Sequence, residues 1–183
     1  MNKSKDLYYL YFSFLVMDSW DKLDKFQKTK FLEAYQSKSG EISDILDDLT
    51  RSYCISSSCP GKKSIGCCNY DHYNTDVPNE FLVAQQFEAL TNGWTNKEDA
   101  CTYHSKEKGC YLTNFKNPLC LGQACQTLES AMITISKEYG SEFIRSMRSF
   151  AFTSIVINPS FVLKKMDDVI YNGTILKDLK SSK

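Results

Sequence analysis

Eight cysteines and two histidines carry this chain's capacity for soft-metal chemistry, and all ten lie between Cys54 and Cys125 of a 183-residue sequence. The flanks 1–53 and 126–183 contain none. The cysteines form two groups of four. The first is Cys54, Cys59 and the adjacent pair Cys67 and Cys68; the second is Cys101, Cys110, Cys120 and Cys125. Each group has enough thiolates to fill a tetrahedral site, so the pattern implies two metal centres, or one centre built across both groups. Neither group contains the short C-x2-C knuckle of most zinc ribbons. The wider spacings suit an iron–sulfur cluster at least as well as zinc, because a cluster is larger than a single ion. Adjacent side chains diverge, so Cys67 and Cys68 are not expected to bind one mononuclear ion together.

The order of these cysteines resembles the YkgJ-type cysteine-cluster family, which is named for zinc- or iron-chelating domains. The residues that carry the resemblance are the Cys54, Cys59, Cys67–Cys68 order, a helical spacer, Gly109-Cys110-Tyr111-Leu112, Pro118-Leu119-Cys120 and Cys125. Where the family has Arg before the proline this chain has Asn117, and where it has Arg after the third cysteine this chain has Leu121. The resemblance implies a metal site made of Cys54, Cys59, Cys67, Cys68, Cys101, Cys110, Cys120 and Cys125. It also extends distantly to flagellin lysine N-methylases, which gives an enzyme-class alternative. The chain shows no S-adenosylmethionine loop of its own.

Other groups near the cysteines have ordinary readings. His72 and His104 stand close to Cys68 and Cys101 and are candidate replacement ligands, although a lone loop histidine is more often solvated. Lys62 and Lys63 would ease thiolate repulsion in the Cys59–Cys67 loop. Asp71 and Asp76 are candidate partners for a ligating histidine. There is no Gly-x-Ser-x-Gly elbow, phosphate-binding glycine loop or H-E-x-x-H motif. Asn172-Gly173-Thr174 forms a glycosylation sequon that reads as a helix stop.

Lys and Arg together number 22, as do Asp and Glu, and this balance gives no basic stripe for nucleic acid. Leu7–Met17 is an apolar run too short to span a bilayer, and Asp18-Ser19-Trp20-Asp21 follows where a cleavage site would stand. We read it as a buried helix, with a signal or membrane segment as the alternative. The expected compartment is therefore the cytoplasm, where thiols stay reduced and clustered cysteines bind metal rather than pair. A secreted, disulfide-stapled interaction module is the remaining alternative.

The elements that must position the cysteines read as helices. Residues 6–37 are expected to be helical, in one piece or in two with Ser19 as a cap, and with Leu23, Phe26, Phe31, Leu32 and Tyr35 on an apolar face. Gly40 is expected to end this helix. Ile42, Ile45, Leu46 and Leu49 then give a short amphipathic helix leading to Cys54. Pro78 starts a helix carrying Phe81, Leu82, Ala84, Gln85, Phe87, Ala89 and Leu90 to Gly93. Residues 54–77 and 94–125 read as loops. Leu128, Ala131, Met132 and Ile135 mark a helix stopped by Gly140. Ser141 starts another reaching Ile155, and Phe161–Tyr171 a third ended by Gly173, with a frayed tail at 177–183. No period-two strand is evident.

The expected fold is thus mainly α, a single domain over 1–183. A small helical scaffold (1–53 and 126–183) supports two long cysteine-rich loops closing over a metal centre (54–125). The expected cofactor is an iron–sulfur cluster or zinc. The partners are the metal ion or cluster and a protein, with no nucleic acid and no membrane.

Overall fold

The computed structural model describes residues 19–56, 77–95, 102–105 and 109–182, the side chains of 51–56, His104, Ser105 and Gly109 excepted. The apolar run at Leu7–Met17 and the cysteines Cys59, Cys67, Cys68 and Cys101 therefore lie outside the described residues, as do His72, Lys62, Lys63, Asp71 and Asp76.

The described residues are mainly helical. A short 3-10 turn at Trp20–Lys22 leads into α1 (Lys25–Ser56), followed by α2 (Asn79–Thr91), the two-residue strands β1 (His104–Ser105) and β2 (Gly109–Cys110), α3 (Pro118–Leu121), α4 (Gln126–Ile135), α5 (Lys137–Ala151) and α6 (Pro159–Ser181). Among the described residues no helix is long and apolar enough to cross a membrane.

Helix α1 is one continuous helix of 32 residues, about 48 Å long at 1.5 Å per residue. Ser19 makes no capping hydrogen bond. The cap is Asp24 instead: its carboxylate accepts the Gln27 amide at 2.8 Å, and the Gln27 side chain accepts the Asp24 amide at 2.9 Å. This reciprocal pair satisfies two otherwise orphaned donors at the helix start. The expected core face is present in Leu23, Phe31, Tyr35, Ile42, Ile45 and Leu49, all buried, but Phe26 is 63% exposed. The helix runs on through Cys54 to Ser56, so the first cysteine stands in the last turn of a helix rather than in a loop.

Three glycines expected to stop helices instead lie inside them, at places where another part of the chain comes close. At Gly40 of α1, a Cβ would meet the Asn114 side chain at 2.9 Å; at Gly140 of α5, the Met132 carbonyl oxygen at 2.3 Å; at Gly173 of α6, Ile45 at 2.6 Å and Phe143 at 2.9 Å. At Gly140 and Gly173 a side chain would fill the crossing, whereas at Gly40 it would displace only the end of the Asn114 side chain. Helix α4 ends at Ser136, whose hydroxyl accepts the Tyr139 amide and so caps α5. Helix α5 ends at Ala151, which leaves Ile155 fully buried in a turn. The tail expected to fray is helical to Ser181: Lys177 pairs with Asp48, and Lys180 donates to the carbonyls of Asp48 and Leu49 at 2.7 and 3.3 Å.

The core lies where α1, α5 and α6 pack together, with α4 closing one side. Phe143, Ile144, Met147 and Phe150 of α5 meet Val162, Leu163, Met166, Val169 and Leu176 of α6 in one buried cluster shared with α1. From this cluster an aromatic ladder runs outward to α2. Trp20, Phe31, Tyr35, Phe81 and Phe115 follow one another with ring centroids 5.3, 5.8, 4.9 and 5.7 Å apart, mostly edge to face, the arrangement favoured by the ring quadrupoles. The ladder ties α1 and α2 to residue 115 of the cysteine-bearing region.

Candidate metal centre

The second cysteine group is carried by a segment that the helices grip along its backbone. Residues 111–116 form a strap between α1 and α2. The Tyr111 carbonyl accepts from Asn92 at 2.8 Å, and the Thr113 carbonyl from Ser43 at 3.2 Å and Ser39 at 3.4 Å. The Phe115 carbonyl accepts from Gln85 at 2.7 Å, and the Lys116 carbonyl from the Tyr35 hydroxyl at 2.6 Å. One carboxylate answers the amides. Glu88 Oε1 accepts from Thr113 and Asn114 at 3.2 and 2.8 Å, and Oε2 from Phe115 at 3.0 Å. A segment without regular structure must satisfy its backbone polar groups somewhere, and here α1 and α2 side chains do so. Leu112 and Phe115 anchor the strap from beneath, both buried.

The order of these contacts fixes the strap's direction. Along α1 they run from Ser43 back to Tyr35 while the strap advances from 113 to 116. Along α2 they run from Asn92 back to Gln85. The strap is antiparallel to both helices, so Cys110 at its start lies toward the end of α1 that carries Cys54. Cys120, just past its finish, lies toward the Tyr35 level. Cys110 and Cys120 thus flank opposite ends of a strap that can extend roughly 16 Å at about 3.3 Å per residue.

Cys110 ends β2 and is exposed. The register of the two-strand ladder sets it opposite His104. Such two-residue strands are too short to show a period in sequence, which is why this stretch reads as loop. The Tyr111 amide donates to the Tyr103 carbonyl at 2.8 Å, and the Trp94 indole to the Thr102 carbonyl at 2.6 Å. Tyr103 and Leu112 join Ala89 in a small second core, with Trp94 and Tyr111 against it.

Cys120 and Cys125 are half-buried. Cys120 sits in α3, a short helix whose start is capped by the buried Asn117: Oδ1 accepts the Cys120 amide at 2.8 Å. This explains why the chain has asparagine before Pro118. Gly122 then lets the chain press against α5, where a Cβ would meet the Met147 carbonyl at 2.6 Å. Burial holds the Tyr35 phenol well above its ordinary pKa, and the nearby Cys120 pushes it further the same way. Tyr35 therefore stays protonated and donates to the strap. Cys125 is the N-cap of α4, with its sulfur accepting the Leu128 amide at 3.4 Å. An N–H pointed at sulfur is the kind of contact that supports a ligating thiolate.

Of the eight expected ligands, the described residues thus place Cys110, Cys120 and Cys125 by side chain and Cys54 by backbone. Among the described residues, no three of His, Cys, Asp and Glu come together in a group able to hold a metal ion. Of the residues that hold the cysteine-bearing segment, the sequence reading named Tyr35 and Gln85 only on helix faces and Asn117 only beside Pro118, and it did not name Glu88 or Asn92. Gln85 carried a signal, because it stands one helical turn from Phe81 and one from Ala89, on the apolar face of α2, where a polar side chain needs a buried partner.

No protein-family model matches this chain, and no curated protein or solved structure is similar to it.

Proposed function

We propose that this chain is a metal-binding cysteine-cluster protein that holds an iron–sulfur cluster or zinc through Cys54, Cys59, Cys67, Cys68, Cys101, Cys110, Cys120 and Cys125. The observation that carries the proposal is the confinement of all eight cysteines to 54–125, in a region where seven backbone groups between residues 111 and 116 are hydrogen-bonded to side chains of residues 35–43 and 85–92. So firm a grip on an otherwise irregular segment suits residues that must meet a ligand geometry. The half-buried sulfurs of Cys120 and Cys125, with an amide donor on the latter, fit a thiolate donor set. Such a group would supply either a rigid tetrahedral anchor or a one-electron carrier.

The direction of the strap supports a division of ligands different from the order in sequence. Cys110 and Cys120 serve different centres, or opposite sides of a larger one, with Cys110 on the side toward Cys54. Holding reduced thiols for this purpose belongs in a compartment such as the cytoplasm. The test is a pair of variants, Cys110→Ser and Cys120→Ser, purified without oxygen. Each is expected to lower bound metal at least about two-fold while leaving helical circular dichroism unchanged, because neither sulfur belongs to the main core. Full metal content in both variants would contradict the assignment.

A further inference from the structure

Three helices begin at one end of the fold. Helices α1 and α6 run parallel, because Lys38 pairs with Asp167 and Asp48 with Lys177, two contacts with the same sequence separation of 129. Carried back, that register sets Phe26, in the first turn of α1, level with residue 155 on the approach to α6. The Trp20 amide agrees with it, donating to the Val156 carbonyl at 2.9 Å. Helix α2 starts here too, where Glu80 accepts from the Trp20 indole at 3.1 Å and from Lys28 at 2.9 Å. Helix α5 finishes here at Ala151, so the turn 152–158 closes the same end.

The tip of this end is apolar. Phe152 is 86% exposed, Ile157 67%, Phe26 63% and Phe161 44%. All four stand in the turn 152–158 or in the first turn of a helix. Behind them Trp20, Phe31 and Ile155 are buried, so the exposed side chains rest on a packed base. Large apolar side chains gathered at a surface mark a place that meets something other than water.

The charge around the tip says what that is. Residues 19–30, 77–82 and 152–165 carry Lys22, Lys25, Lys28, Lys30, Lys164 and Lys165 against Asp21, Asp24 and Glu80. Neither α1 nor α6 has an acidic residue in its first turn, so the partial positive charge of the helix starts adds to the lysines. Two of the lysines lie over the exposed rings, Lys30 5.8 Å from the Phe26 centroid and Lys165 5.4 Å from that of Phe161. Further along α1 the sign reverses: residues 41–48 hold Glu41, Asp44, Asp47 and Asp48 and no lysine. A chain of zero formal net charge thus has a positive, apolar tip.

We infer that this tip docks on an anionic lipid surface. Phe26, Phe152 and Ile157 enter the boundary between headgroups and acyl chains, and the lysines meet the anionic headgroups. Apolar burial and electrostatic attraction together are what hold a protein at such an interface. A second copy presenting the same tip would bring like charges together, which opposes self-association there. The attachment is to a surface, since among the described residues no helix is long and apolar enough to cross a membrane. This inference does not depend on the metal proposal.

The test is flotation of the full chain with vesicles of phosphatidylcholine, alone or with about one-third phosphatidylserine. Binding to the anionic vesicles is expected to be at least about ten-fold stronger, and to weaken with added salt. The apolar sequence Leu7–Met17 could bring the chain to vesicles by itself, so variants decide the matter. Phe152→Asp combined with Ile157→Asp, both at exposed positions, should lower binding at least about ten-fold with unchanged circular dichroism. Phe87→Asp, at an exposed position two turns into α2, should leave binding as it was. No preference for anionic vesicles, full binding by the double variant, or an equal loss in the Phe87 variant each overturns the inference. So does a double variant whose sole effect is to dissociate a dimer.

Discussion

Gly140→Ala lowers stability by about 2–3 kcal/mol, although alanine is the better helix former. Propensity alone makes the exchange favourable by about 1 kcal/mol inside a helix. Against this, a Cβ at position 140 would stand 2.3 Å from the Met132 carbonyl oxygen, 2.5 Å from its carbon and 2.8 Å from the Ile133 nitrogen. All three are backbone atoms of α4, so no side chain can rotate away. The α4–α5 corner must open, and the cost falls on the cluster in which Met132 and Phe143 are fully buried. Overpacking typically costs about 1–3 kcal/mol and occasionally more; with three backbone atoms in the way the cost here is about 3–4 kcal/mol, from which the propensity gain of about 1 kcal/mol is subtracted. In a chain of this length the change corresponds to a melting-temperature drop of roughly 4–12 °C. Thermal melting followed by circular dichroism reads it directly. A variant more stable than the parent would mean that the two helices are not in contact at this corner.

Glu88→Ala loosens the strap, and its effect should reach the proposed metal site as well as the fold. A single carboxylate accepts three consecutive backbone amides, from Thr113, Asn114 and Phe115. Hydrogen bonds to a charged acceptor contribute about 1.5–3 kcal/mol each when well shielded. Glu88 is only half-buried and Thr113 is exposed, so water replaces part of what is lost. The expected total is about 2–3 kcal/mol by denaturant unfolding. Glu88→Gln retains one acceptor oxygen and should cost about half as much. The distinctive consequence is local: exchange of amides 113–115 accelerates, and bound metal is released to a chelator faster than from the parent. If Glu88→Ala destabilised the fold without changing metal release, the strap would be a packing device only.

Helix faces were legible in the sequence because burial follows the helical period: Ile42, Ile45 and Leu49 are buried, as are Ala131, Met132 and Ile135. The extent of the helices was not, and the cause is shared. Gly40, Gly140 and Gly173 read as stops because a glycine at a helix end and a glycine at a helix crossing look alike in one sequence. What separates them is a partner on another element: Asn114 for Gly40, Met132 on the preceding helix for Gly140, and Ile45 with Phe143 for Gly173. The same limit hid the start of α1. Asp24 and Gln27 form a capping pair that the apolar run before it overshadowed.

The candidate site divides along similar lines. Residue type and spacing made the cysteines legible, since thiolate chemistry is written in the side chain itself. The grip on the strap was not, because Tyr35, Ser39, Gln85 and Glu88 act through backbone groups far away in sequence, and any residue could supply those groups. Cys125 illustrates both aspects. Its type marked it as a candidate ligand, while its place as the N-cap of α4, with sulfur receiving the Leu128 amide, depends on a helix start that lacks the usual hydroxyl or carboxylate. The hydrogen bond from the Trp20 indole to Glu80 is likewise a tertiary fact.

The measurement that bears most directly on the central claim is elemental analysis, with an absorption spectrum, of the full chain purified without oxygen from a reducing cytoplasm. The account predicts bound metal in simple proportion to protein. This would be about four irons with sulfide and broad visible absorption, or about one to two zincs in a colourless protein, in either case with thiols that react only after the metal is removed. A protein with neither iron nor zinc, and with its eight cysteines oxidised, would contradict it.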